Sequence, residues 1–119
     1  MTNKELKEEY KNIKFKMGVF QIRNIVNGKV FIEGSSNLDK IWNRHYVQLN
    51  FGNHRNVELQ KDWNIYGEDN FVYEILGEIE EDEAKLLDNS KEIKILEQMF
   101  IEELQPFDEK GYNRKPLKQ

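Results

Sequence analysis

No cysteine occurs among the 119 residues, which excludes a disulfide framework and any thiolate metal site. The only histidines are His45 and His54, too few to assemble a usual zinc site without cysteine. Two prolines and seven glycines leave no Pro-rich or Gly/Ser-rich linker, and neither an internal repeat nor a low-complexity stretch divides the chain, so one domain with one core is predicted. The longest apolar runs are a few residues, and 1–16 is charged without an apolar centre. Neither a membrane span nor a secretory signal is therefore read, and a cytoplasmic setting is expected. No Gly-rich phosphate loop and no nucleophile elbow are present, which removes most familiar enzyme classes.

What is there suffices for a core. Hydrophobic residues make up 38% and aromatic residues 12% of the chain, against 34% charged, enough Trp, Tyr and Phe to bury an interior rather than stay disordered. The net charge of −4 is unevenly spread. Asn12 to Trp63 carries eight Lys/Arg against four Asp/Glu, a local +4, whereas Asn64 to Lys110 carries four against fifteen, a local −11. The basic middle keeps nucleic acid open as a partner through Arg23, Lys29, Lys40, Arg44, Arg55 and Lys61; an ordinary solvated surface reads equally well. The acidic run Glu80 to Glu83 suits the positive end of a helix and needs no ligand.

Periodicity places the elements. Residues 2–11 read as a short charged helix capped by Thr2. Met17 to Ile22 and Lys29 to Ile32 are β-prone, and Asn27-Gly28 between them predicts a type I′ hairpin, whose two central positions need positive φ. Gly34-Ser35-Ser36-Asn37 supplies turn and N-cap chemistry. Leu38, Ile41, Trp42, His45 and Leu49 then recur at helical spacing. Val57, Leu59, Trp63 and Tyr66 predict a second helix, stopped by Gly67. Phe71 to Leu76 is β-branched and aromatic and predicts a third strand. Further helices are read over Glu80 to Asp88 and over Lys91 to Leu104, the latter closed by Pro106. The predicted fold class is α/β, a small three-stranded sheet, mixed or antiparallel, flanked by helices.

The order of these pieces carries more information than any one of them. Gly18-Val19-Phe20, the Asn-Gly turn, Phe31-Ile32-Glu33, Ile41-Trp42-Asn43-Arg44-His45, the segment from Leu59 to Phe71, then Leu96-Glu97 and Gly111-Tyr112-Asn113 together resemble the GIY-YIG endonuclease family. The match runs from about 17 to 113, with 1–16 an N-terminal extension and 114–119 a tail.

The resemblance implies a nuclease-type site. Gly18, His45, His54, Glu97 and Asn113 stand as the family has them. In the family, the glutamate holds one divalent cation, which makes Glu97 the expected Mg²⁺ ligand. Phe20 and Phe31 stand where the family has its motif tyrosines, Glu33 where it has the motif glycine, and Ile41 where it has the catalytic arginine. Phenylalanine keeps a ring but removes the atom that relays a proton, and isoleucine cannot clamp a phosphate. The expected function is therefore an endonuclease-like domain, catalytically impaired, acting by binding a nucleic acid weakly or a protein partner. The alternative is an active Mg²⁺-dependent DNA endonuclease in which Glu97 holds the metal and His45, His54 or Tyr46 stands in for the lost tyrosines. A third reading is an acidic protein-interaction module. Each retained residue also has a bland reading: Glu97 as a solvated carboxylate, the histidines as packing or capping residues, Asn113 as a fastening for the tail.

Overall fold

The computed structural model describes residues 16–80 and 89–115. The helices expected over 2–11 and over most of 80–88 lie outside the described residues, as does most of the tail. Strands β1 (Met17–Asn24) and β2 (Val30–Ser35) precede helices α1 (Leu38–Phe51) and α2 (Val57–Tyr66). A 3₁₀ turn (Glu68–Asn70), strand β3 (Phe71–Ile79) and helix α3 (Asn89–Leu104) follow. The sheet is antiparallel throughout, in the order β2-β1-β3. Among the described residues no helix is long and apolar enough to cross a membrane.

Alternation along β1 sends Phe20, Ile22 and Asn24 to one face and Gln21 and Arg23 to the other. Phe20 faces Glu33 across the β1–β2 register and Ile22 faces Phe31. Phe20, Ile22 and Phe31 join Leu38 and Leu49 of α1, Leu59 and Trp63 of α2, and Phe71 and Tyr112 in the main core. The opposite face is covered by α3, which lies across β2 and β1. Gly18 lets β3 approach. A Cβ there would stand 1.9 Å from the Gly77 carbonyl oxygen, and its φ of +154° disfavours other residues.

The helix boundaries follow their chemistry. Asn37 caps α1 by accepting from the Lys40 N–H at 3.1 Å, Asn56 caps α2 by accepting from the Leu59 N–H at 3.0 Å, and the Gly67 N–H closes on the Trp63 carbonyl. The hairpin turn differs from the type I′ expectation. Register places Arg23 opposite Val30, so four residues, 25–28, bridge the strands instead of two. Gly28 has positive φ but Asn27 does not. The local reason is Asn24: its backbone closes on Lys29 and Gly28, and its Oδ1 takes the Val26 N–H, so side-chain bonding stabilises a wider loop.

Strand β2 is an edge strand, and its outward N–H groups are all taken. Val30 donates to the Lys110 carbonyl at 3.2 Å, Ile32 to Asn113 Oδ1 at 2.9 Å and Gly34 to Glu97 Oε2 at 2.7 Å. The segment around Gly111, bridged parallel to Val30, thus protects an edge that would otherwise template association.

Candidate active site

The face of the sheet that carries Phe20, Phe31 and Glu33 meets α1 and the start of α2, and there the two histidines touch. His45 is buried on α1 and His54 is buried just before α2, with His45 Nδ1 2.7 Å from His54 Nε2. The Asn56 N–H donates to His54 Nδ1 at 3.0 Å, so that nitrogen is an acceptor and the proton of neutral His54 resides on Nε2. It follows that His54 Nε2–H donates to His45 Nδ1, and that neutral His45 carries its proton on Nε2. That atom points toward Glu33 Oε2 at 3.3 Å but makes no well-directed hydrogen bond, although the His45 side chain is only 4% exposed. Backbone geometry at Asn56 therefore sets the direction of a chain three side chains long. Burial, then the neighbouring His45 and then Arg55, lower the His54 pKa to about 4.

Glu33 closes the chain. Its Oε2 also accepts from Arg55 Nη2 at 2.6 Å. Burial works against its charge, but His45 and Arg55 together outweigh that penalty and hold the carboxyl below its ordinary pKa. Above this carboxylate lies a small cleft of about 70 Å³, lined by Glu33, Ile41, Arg44, His45, Gln48 and Arg55.

The rings of Phe20 and Phe31 lie against the histidines. Phe20 is fully buried, 5.5 Å from the His45 ring, and Phe31 is 5.7 Å from His45 and 6.0 Å from His54. The neighbouring tyrosines are committed elsewhere. Tyr73, 5.2 Å from Phe20, donates to the Leu38 carbonyl at 2.5 Å. Burial, and then the Asp39 carboxylate, push its pKa up to about 12. Tyr46 packs on Trp42 and Trp63, and its hydroxyl donates to Glu68. Both hydroxyl protons are thus engaged away from the histidine pair.

Glu97 and Asn113 are both brought to the outer edge of β2. Glu97 rises from α3 and reaches the β2 edge through the Gly34 N–H, while Asn113 clasps Ile32, its Nδ2 donating to the Ile32 carbonyl at 2.8 Å. Glycine at 34 is what lets α3 come this close: a Cβ there would stand 2.5 Å from Ile93 Cγ2 and 3.1 Å from Glu97 Oε2. Gly34→Ala is therefore expected to cost about 1–3 kcal/mol, the range for overpacking a tight contact. Loss of the backbone bond from position 34 to Glu97, read as faster amide exchange at residue 34 of the variant than of the wild type, should accompany it. An unchanged denaturation midpoint would show that α3 tolerates the methyl group.

Of the basic residues, Arg44 and Arg55 line the cleft, and Lys40 is exposed one helical turn before Arg44. Arg23 lies on the opposite sheet face, paired with Glu74 at 2.7 Å, and Lys61 is exposed on α2. The basic middle thus divides between both faces of the sheet. Sequence reasoning missed the Glu33–Arg55 pair, because 22 residues, including the whole of α1, separate the partners. It also missed Asn56, although an Asn before Val57-Glu58-Leu59 is a legible helix cap.

No protein-family model matches the chain. Over 64 residues it is 38% identical to the intron-associated endonuclease 1 of Enterobacteria phage T4; the match covers 54% of this chain and 26% of that protein, so it spans about a quarter of the relative's length. Two solved structures share the fold across nearly their whole length. The catalytic domain of homing endonuclease I-TevI superposes with a TM-score of 0.70 at 32% identity, covering 85% of this chain and 100% of that one. A mutant of the same intron endonuclease domain gives 0.69 at 31% identity, covering 83% and 93%.

Proposed function

This chain belongs to the GIY-YIG nuclease family, and from that premise we propose that it is a member in which phosphodiester hydrolysis is impaired and which acts by holding nucleic acid on the cleft side of its sheet. One observation carries the reading: the cleft above the histidine pair already contains its own anion, Glu33, bonded to Arg55 and facing His45 Nε2. A phosphate approaching that point meets a carboxylate where a nuclease needs donors. The other cleft positions agree. Phe20 and Phe31 present rings without hydroxyls to the histidines, and Ile41 presents an apolar side chain to the cleft. Lost acid–base help alone costs roughly 10²- to 10⁴-fold, and loss of a preorganised donor to the transition state by itself costs about 3–4 kcal/mol, the two not being additive within one catalytic unit.

A divalent cation belongs to the family's chemistry. Among the described residues no three His, Cys, Asp or Glu side chains cluster as a metal site. A lone carboxylate nevertheless fits Mg²⁺, which keeps several waters and is commonly held by one or two carboxylates together with substrate phosphates. Glu97 would hold it, and the bound cation would supply Lewis-acid charge at the phosphate. Glu97 oriented by the Gly34 N–H favours the second reading, an active Mg²⁺-dependent DNA endonuclease.

A plasmid assay with Mg²⁺ or Mn²⁺ decides between them. The wild-type protein is expected to show no cleavage above background at neutral pH, with salt-sensitive retention of DNA. Nicking at catalytic protein concentrations that disappears in Glu97→Ala would establish the second reading. No DNA retention even at low salt would turn the function toward a protein partner.

A further inference from the structure

We propose that Arg55 is the phosphate-contacting cation of this cleft, supplied by the segment after α1 in place of a side chain at position 41, and that Glu33 is an internal stand-in anion which a nucleic-acid phosphate must displace. The proposal deepens the binding function above and rests on it. Three observations carry it. Ile41 and Arg55 line one cleft although they come from different elements, so a guanidinium from 55 reaches the space that the isoleucine leaves without charge. The Arg55 side chain is 69% exposed while Glu33 is 22% exposed. The cation can therefore follow a ligand outward, whereas the carboxylate is held in the strand. Finally, His45 Nε2 is a buried donor aimed into the cleft with no well-directed acceptor, although the tautomer set by Asn56 places a proton on it.

These groups form a donor set for a tetrahedral oxyanion: the Arg55 fork, the His45 Nε2–H and the adjacent Arg44. An arginine fork matches phosphate oxygens in a bidentate manner. A carboxylate is a competing occupant of such a set, because it carries the same single charge and two acceptor oxygens as a phosphodiester and takes the same N–H groups. A phosphodiester bound here displaces the Glu33 oxygen from Arg55, and the leftover carboxylate charge is an energetic penalty that keeps affinity low. Glu33 thus sets how strongly this surface holds phosphate without touching the nucleic acid itself.

The test uses isosteric changes and two probes, inorganic phosphate and a short DNA duplex. Titrating phosphate into the full chain while following the imidazole nitrogen resonances of His45 should give a response in the wild type. About tenfold less phosphate should suffice in Glu33→Gln, and the response should vanish in Arg55→Gln. With the duplex, Glu33→Gln should bind several-fold tighter. Arg55→Gln should lower the slope of log affinity against log salt by about one phosphate contact, in both the wild-type and the Glu33→Gln backgrounds. Circular dichroism confirms that each variant folds. If Glu33→Gln and wild type respond identically to phosphate, or if Arg55→Gln leaves the duplex salt slope unchanged, the assignment is overturned, even where DNA is still retained. Metal-dependent cleavage by the wild type with the phosphate responses intact would refute the loss of hydrolysis but leave this site standing. Phosphate responses without duplex binding would support the anion site and refute the nucleic-acid function.

Discussion

The quadruple variant Phe20→Tyr, Phe31→Tyr, Glu33→Gly, Ile41→Arg is expected to nick supercoiled DNA with Mg²⁺ at least about a hundredfold faster than the wild type, the lower end of what recovered acid–base help supplies. The four positions surround one point. Phe20 and Phe31 flank the histidine pair, and Ile41 and Glu33 line the cleft above it. Removing the Glu33 carboxylate releases Arg55 and exposes His45 Nε2, and a guanidinium at 41 enters a cleft that then lacks its internal anion. The ring changes keep the packing and add one oxygen each. Phe20 is fully buried, so a hydroxyl there that found no partner would cost about 1–3 kcal/mol, and the His45 imidazole is the nearby polar group able to meet it. Single reversions should do little, because groups that act as one unit are strongly non-additive. The measurement is the initial nicking rate of each variant, with Glu97→Ala added to the quadruple variant as control. A folded quadruple variant that binds DNA and Mg²⁺ and remains inert would mean that the cleft has diverged beyond these four positions.

Acidification should destabilise the fold through the histidine pair. His54 is neutral in the folded chain, with its pKa lowered from 6.5 to about 4. Between those values the unfolded chain takes up a proton that the folded chain refuses, so stability is fully present above pH 6.5 and is lost as pH falls toward 4. The full loss is on the order of 3 kcal/mol. The lowered carboxyl of Glu33 acts in the same direction at the acid end, since its contribution also disappears as it is protonated. His54→Asn retains an acceptor for the Asn56 N–H and removes the titration. The variant should therefore be less stable than wild type at pH 7.5, yet lose about 2 kcal/mol less between pH 7.5 and pH 4.5. Urea denaturation of both proteins at the two pH values measures this difference. Equal losses would show that His54 titrates normally in the folded state.

Much of the architecture was legible in the chain because it is written in short-range terms. Helical spacing of Leu38, Ile41, Trp42, His45 and Leu49 places α1, and the caps at Asn37 and Gly67 mark helix ends. The β-branched and aromatic runs mark three strands, and the ordered pieces from Gly18 to Asn113 point to the GIY-YIG family and its α/β fold. Each of these signals acts within a few residues, through backbone sterics or the burial of one face. The strand ends were read short: β2 extends to Ser35 and β3 to Ile79, because pairing with β1 continues past the apolar residues that announced each strand.

What the tertiary structure alone decided is the state of the site. That His54 and His45 form a directed pair depends on the Asn56 N–H, and that Glu33 is bonded to Arg55 depends on two elements meeting. The turn after β1 widened because the Asn24 side chain outbid the local preference of Asn27-Gly28. Glu97 and Asn113 were singled out for chemistry from their places in the motif, and folding puts both on the outer edge of β2, where they complete its hydrogen bonding. Periodicity and caps are properties of neighbouring residues, so the chain itself determines them. Ion pairs, tautomers and edge bonds join residues tens of positions apart, and their geometry exists only once packing has brought those residues together.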